Sequence, residues 1–180
     1  NGRIKDLPKA CKYLEIKRPM LVTDKDLVKN KMITEAVDIN KKSSLNTEIF
    51  SDLSGNPLGS HVQAGVEKFK NGNHDGIIAF GGGSSLDVGK SISLCASLNR
   101  KPWDFSKEGS FWRENSYGES AAKNKIANPD NIKPIIAIPT TAGTGSETSR
   151  ASAIINEKTN TKKIIFHPRM LPTLTILDPS

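Results

Sequence analysis

Cysteine is scarce in this sequence: Cys11 and Cys95 are the only two in 180 residues, and neither lies in a Cys-x-x-Cys pair. A disulfide framework is thereby excluded, and the chain reads as reduced and cytoplasmic. Long apolar runs are also missing. None approaches the ~20 residues that span a bilayer, and residues 1–12 are too polar for a signal peptide. The three histidines, His61, His74 and His167, lie too far apart for a metal-ligand spacing. What remains, 36% hydrophobic and 25% charged residues, is the balance of an ordinary globular protein with one domain or slightly more.

Charge is unevenly spread. The net +7 comes mostly from residues 1–42, which hold 11 basic and 6 acidic residues, whereas the other 138 carry 15 against 13. The lysines of that first segment fall on several helical faces with Tyr13 as their only aromatic neighbour, a pattern that speaks against a nucleic-acid interface. A mildly positive field would still favour a phosphorylated small molecule.

Two hydrophobic periods alternate along the chain. Ile4, Leu7, Ala10, Cys11 and Leu14 recur at helical spacing, as do Met32, Ile33, Ala36 and Val37 within a helix expected over 26–42. Val62, Val66 and Phe69 predict a helix stopped at Asn71-Gly72. Between these lie short apolar runs: Met20–Thr23, a weaker one at Leu45–Phe50, Gly76–Phe80 and Pro134–Ile138. Further short runs follow at Ala153–Ile155, Ile164–Phe166 and Leu174–Leu177. Continuous apolar strands alternating with helices predict a parallel sheet covered by helices on both faces, an α/β fold. Ligands of such sheets bind beyond the carboxyl ends of the strands. Asp24, the Gly81–Gly83 run and Thr140–Glu147 all fall there. Residues 99–133 form a long polar stretch with Trp103, Phe105, Phe111, Trp112 and Tyr117, read as a flap over a ligand, an oligomer contact or surface decoration.

Gly81-Gly82-Gly83-Ser84-Ser85-Leu86-Asp87 closes a strand and opens a helix. Glycines admit a ligand close to the backbone, and the first amides of the helix present a positive dipole end that suits a pyrophosphate. It is neither a P-loop, whose first glycine would have to stand at Ser84, nor Gly-x-Gly-x-x-Gly, since Leu86 replaces the third glycine. Ser84 and Asp87 could instead form a capping box. Pro139–Thr148 is dense in hydroxyls and suits phosphate and ribose oxygens, or is simply a polar hairpin loop. Asp24 could accept hydrogen bonds from a ribose diol and repel a 2′-phosphate, or cap a helix.

Gly81-Gly82-Gly83-Ser84-Ser85-Leu86-Asp87-Val88-Gly89-Lys90 together with Pro139-Thr140-Thr141-Ala142-Gly143-Thr144-Gly145-Ser146-Glu147-Thr148 resembles the paired motifs of the iron-dependent (group III) alcohol dehydrogenases. Val22-Thr23-Asp24-Lys25 and Asn56-Pro57 match two further family positions, and the likeness covers nearly the whole chain. The resemblance implies a Rossmann-like, dehydroquinate synthase-like N-terminal domain over 1–180 that binds NAD rather than NADP. Asp24 would select NAD, Asn56 would line the cleft, and Gly82, Gly83 and Ser84 would hold the pyrophosphate. Thr140, Thr141 and Thr144 would meet phosphate, ribose or nicotinamide, while Asp87, Ile154 and Lys163 would complete the cofactor contacts. The family binds Fe²⁺ or another divalent metal through a C-terminal helical domain that would begin near Asp178, so the chain reads as the cofactor half without the metal half and without the family's first short strand. Pro102-Trp103-Asp104-Phe105 is similar to a segment of the butanol dehydrogenase-like branch. A small alcohol or aldehyde is the implied partner, with room for a homodimer or larger homo-oligomer of the full-length protein. A glycerol or polyol dehydrogenase of the same superfamily, or a non-catalytic nucleotide-binding module, would share this half.

Overall fold

Every residue of the three central strands is apolar or small, and the structure sinks those strands between two helical layers. The computed structural model describes residues 2–115 and 131–179. Five parallel strands form the main sheet: β1 (Pro19–Val22), β2 (Glu48–Phe50), β3 (Gly76–Gly81), β4 (Ile135–Pro139) and β7 (Leu174–Thr175), in the spatial order β2-β1-β3-β4-β7. Counted along the chain, this is a 2-1-3-4-5 doubly wound sheet, whose winding reverses between β1 and β3.

Period-two alternation sorts the core. Met20, Val22, Ile77, Ala79, Ile135 and Ala137 point to one face, where they meet Val62 and Phe69 of α3 (Gly59–Asn71) and Leu86, Val88 and Ile92 of α4 (Gly83–Leu98). Leu21, Ile78, Phe80, Ile136 and Ile138 point to the other, against Leu7 and Cys11 of α1 (Leu7–Tyr13) and Ile33 and Ala36 of α2 (Lys31–Lys42). Both cysteines are free and buried. Helix α4 sits very close to β3: a Cβ added at Gly89 would lie 2.8 Å from Ala79 Cβ.

Several boundaries differ from the pattern reading. The helix expected over 26–42 is broken: Leu27–Lys29 is a 3₁₀ turn, and Asn30, in extended conformation, accepts from the Met32 amide and starts α2 afresh. The first helix opens as a 3₁₀ turn at Arg3–Asp6 and ends at Tyr13, just before Glu15 at φ +58°. Strands β5 (Ala151–Asn156) and β6 (Thr161–Phe166) do not join the main sheet; they pair antiparallel with each other as a separate hairpin.

Residues 102–114 are not an open flap. Phe105, Phe111 and Trp112, the latter two on α5 (Ser110–Glu114), are buried, and Trp112 stacks on Phe166 of the hairpin with centroids 5.0 Å apart. The Trp112 indole N–H donates to the Phe105 carbonyl at 3.2 Å. Tyr117 lies outside the described residues. Among the described residues no helix is long and apolar enough to cross a membrane.

Candidate cofactor cleft

The reversal of winding between β1 and β3 leaves a crevice at their carboxyl ends, since the following segments leave toward opposite faces. Asp24 follows β1 here, and the glycine run follows β3. Gly81, at φ +148°, would bring an added Cβ to 2.5 Å from Ser85 Oγ, so the sharp strand-to-helix turn requires glycine. Gly82 caps α4 without any side-chain bond, and the first intrahelical bond is Leu86 N to Gly82 O at 3.2 Å. The amides of the first turn therefore have no intrahelical acceptor and face the crevice with the positive end of a 16-residue helix.

The crevice measures about 470 Å³ and is lined by Asp24, Asp26, Leu27, Gly55, Gly82, Gly83, Ser84, Ser85, Thr140 and Thr141. No lysine or arginine is among those residues. An anion here would thus be held by amides and hydroxyls. The Ser85 hydroxyl is buried and lacks a hydrogen-bond partner among the described residues, as does that of Thr23 at the end of β1. A buried hydroxyl left unpaired costs about 1–3 kcal/mol, and of these two residues Ser85 lines the crevice. Across the gap, the Thr140 amide donates to Gly81 O at 3.0 Å, docking the threonine loop onto the glycine run. Gly82 and Gly83 face that loop so closely that added Cβ atoms would lie 3.3 Å from Thr141 Oγ1 and 3.3 Å from Thr144 Cβ.

Asp24 stands between a capped turn and the crevice. Its Oδ1 accepts from the Asp26 and Leu27 amides at 3.0 and 2.7 Å, capping the 3₁₀ turn, while its carboxylate still lines the crevice. Ser84 does not form a capping box: its hydroxyl donates to Gly55 O at 2.6 Å, tying the helix start to the loop that carries Asn56. Asn56 itself is exposed beside Gly55, and exposed Thr144 packs against Gly83 at the rim.

Three expected contacts stand elsewhere. Asp87 lies one turn into α4, under the fold of residues 146–153, and both its oxygens are engaged there: Oδ1 accepts from Ser146 Oγ at 2.5 Å, and Oδ2 from the Ala153 amide at 2.9 Å. Ile154 is 0% exposed, because the hairpin presses that face of β5 into the core. Lys163 pairs with Glu108 at 3.6 Å, on the hairpin strand outside the main sheet. None of the three lines the crevice.

Lys90 carries a role that motif reading left blank. Its side chain is fully buried, yet its ammonium donates to the carbonyls of Ser146, Ser149 and Ala151 at 3.0, 3.3 and 2.6 Å and lies 3.2 Å from Asp87 Oδ1. Burial pulls its pKa below the ordinary lysine value, against the opposing pull of Asp87 and Glu147. With three carbonyls and a carboxylate around it, the group is an ammonium, since a neutral amine would leave acceptors facing acceptors. Ser85 and Lys90 are both invisible to hydropathy patterning; the only signal was their place in the motif.

A second cavity, of about 910 Å³, adjoins the crevice and shares Thr140 and Thr141 with it, continuing past Ala142 and Gly143 to Phe80, Ile138, Met32 and Leu177. Among the described residues no group of three or more His, Cys, Asp or Glu side chains gathers that could hold a metal ion. His61, for one, receives the Leu58 amide on Nδ1 at 3.2 Å, and burial lowers its pKa despite Glu157 and Asp52.

A doubly wound parallel sheet with a glycine turn and helix N-terminus at its switch point defines a nucleotide-binding fold. Residues 1–179 match the family described as iron-containing alcohol dehydrogenase, and the chain belongs to that family. Over 180 residues it is 32% identical to a 4-hydroxybutyrate dehydrogenase of Cupriavidus necator, covering 99% of this chain and 42% of that one. The crystal structure of a 1,3-propanediol oxidoreductase superposes with a TM-score of 0.84 at 28% identity, covering 99% of this chain and 42% of that one. A sulfoacetaldehyde reductase from Bifidobacterium kashiwanohense, solved with NAD⁺, gives 0.82 at 27% identity, with 99% and 43% covered. The chain therefore spans about two-fifths of the length of these relatives.

Proposed function

We propose that this chain binds NAD in the β1–β3 crevice and forms the cofactor half of an alcohol dehydrogenase that moves hydride between a primary alcohol or aldehyde and the nicotinamide. One observation carries the reading: the free amides at the start of α4, two glycines without side chains and the unpaired Ser85 hydroxyl all meet in one crevice. These suit a pyrophosphate, whose oxygens need several donors in a small space. Asp24 then takes the ribose diol with the carboxylate oxygen not used by the backbone, and its charge rejects a 2′-phosphate. Thr140 and Thr141 lead from the pyrophosphate into the larger cavity, which receives the nicotinamide end.

Bound NAD supplies the hydride chemistry; the residues of this chain hold and orient it. Among the described residues no cluster of His, Cys, Asp or Glu side chains fits a metal centre. We assign the metal and the alcohol to the length of the relatives that this chain does not match. On this reading the 180 residues bind cofactor without turning over alcohol.

Calorimetric titration with NAD and with NADP at one fixed salt concentration tests this. NAD should bind more tightly, and Gly83→Val should abolish binding, because its Cβ would already lie 3.3 Å from Thr144 Cβ and its methyls would fill the crevice. A folded chain that binds neither nucleotide overturns the proposal.

A further inference from the structure

A separate cavity, of about 530 Å³, lies between α3, the turn that follows α4 and the tip of the β5–β6 hairpin. It shares no residue with the crevice or with the larger cavity beside it. Its size falls within the range of small-molecule sites. Val62 and Cys95, both buried, and half-buried Val66 give it an apolar floor, and Pro102 and Trp103 form one wall. Trp103 leans on the start of α3 so closely that a Cβ added at Gly59 would lie 2.4 Å from its Cζ2. The hairpin tip is fastened to the same helix start, where Glu157 accepts from the Ser60 amide and hydroxyl at 2.9 and 2.6 Å.

Two observations say what would fill this space. The first is a contrast between the two tryptophans. Trp112 stacks on Phe166 and donates to the Phe105 carbonyl, whereas the Trp103 indole meets no other ring and its N–H has no acceptor among the described residues. The second is the sign of the rim. Lys70, Arg100, Lys101 and Lys158 line the cavity against two carboxylates, Glu67 and Glu157. Glu157 spends both oxygens on Ser60, and Arg100 is paired with Glu114, which does not line the cavity. Lys70 donates to Asn99 Oδ1 at 2.7 Å, and neither it nor Lys101 or Lys158 has a carboxylate within ion-pair distance among the described residues. An aromatic wall without a stacking partner thus stands beside three ammonium groups without counter-charges.

We propose that this cavity binds a small flat anion, an aromatic ring carrying a carboxylate or phosphate, with the ring against Trp103 and the valines and the charge among Lys70, Lys101 and Lys158. Burial of the ring supplies most of the affinity. The lysines stay hydrated at the rim, so they select the sign of the ligand more than they tighten it. Aryl carboxylates and nucleoside monophosphates both carry this chemistry.

The probes are 2-naphthoate, its uncharged amide 2-naphthamide, and AMP, each added to ¹⁵N-labelled protein while the indole N–H signals are followed. Two tryptophans give two signals, and Trp103→Phe identifies them. 2-Naphthoate should shift the Trp103 signal and leave that of Trp112 in place, with a Kd below about 1 mM. The amide should bind about threefold more weakly or worse. Lys101→Gln combined with Lys158→Gln, both at exposed positions, should weaken 2-naphthoate about fivefold and leave the amide within twofold. AMP that shifts the Trp103 signal at lower concentration than 2-naphthoate assigns the site to nucleotides, and the reverse order assigns it to aryl carboxylates. In folded Gly83→Val, whose crevice is blocked, the Trp103 response should persist; its loss there would place the probe in the crevice and overturn the proposal. A Trp103 signal that neither anion moves, or a double lysine variant that binds 2-naphthoate as wild type does, overturns it as well.

Discussion

Replacing Asp24 by asparagine isolates charge from shape. Asp24 Oδ1 caps the turn after β1 by accepting from the Asp26 and Leu27 amides at 3.0 and 2.7 Å, and an asparagine carbonyl can keep both bonds. Stability should therefore hold, with the melting temperature moving by no more than about 2 °C, under ~1 kcal/mol for a chain of this size. Binding should not hold. A ribose diol donating to a carboxylate gains about 1.5–3 kcal/mol, and a neutral amide recovers only part of that. NAD affinity should fall about tenfold, equivalent to ~1.4 kcal/mol. NADP places a further phosphate beside Asp24. Two unit charges ~4 Å apart repel by about 4 kcal/mol at an effective dielectric of 20 and by about 1 in bulk water. The crevice is open and Asp24 only half-buried, so the real value lies between those limits. Removing the charge should strengthen NADP binding by tenfold or more. The assay is calorimetry of both nucleotides against both proteins in the same buffer. Wild type that binds NADP as tightly as NAD, or a variant whose NAD-to-NADP ratio stays within twofold of wild type, refutes the role given to Asp24.

Two further outcomes follow from packing and protonation. Gly89→Ala gains helix propensity, about 1 kcal/mol, but its methyl would sit 2.8 Å from Ala79 Cβ, which the central strand's backbone fixes in place, and 3.3 Å from Ile77 Cγ2. Overpacking of this kind costs about 1–3 kcal/mol, so thermal denaturation should show a net loss of a few degrees, and a raised melting temperature would contradict it. His61 accepts the Leu58 amide only while Nδ1 is unprotonated, and burial keeps its pKa below the ordinary value. As pH falls below about 6.5 the unfolded chain takes up this proton first, so stability present at neutral pH is lost as pH drops toward the folded pKa. Urea denaturation from pH 7.5 to 5.5 should show wild type losing stability relative to His61→Gln; parallel curves would count against the bond.

Much of the candidate cleft is legible without a structure because its parts are local. The turn at Gly81, the start of α4 and the cap at Asp24 each depend on neighbours within a few residues, and the apolar strands announce themselves by composition. The break at Asn30 was legible too, since an asparagine N-cap carries its own signature, but the apolar period running across it masked the signal. The role of residues 102–114 was not: their burial depends on the hairpin strand bearing Phe166, more than 50 residues on.

By itself, then, the sequence determined the alternation of strand and helix and the chemistry at the strand ends, because backbone preference and hydrophobic period act over one or two turns. Only the tertiary structure decided the strand order that opens the crevice between β1 and β3 and the departure of β5 and β6 into their own hairpin. It alone turned Asp87 away from the cleft, buried Ile154, and set Lys90 under the threonine loop. Those outcomes depend on partners 56 to 66 residues distant for Lys90 and Asp87, where a side chain's direction follows from what lands beside it. A buried ammonium or carboxylate must find acceptors or donors wherever the fold supplies them, and no local pattern records which ones arrive.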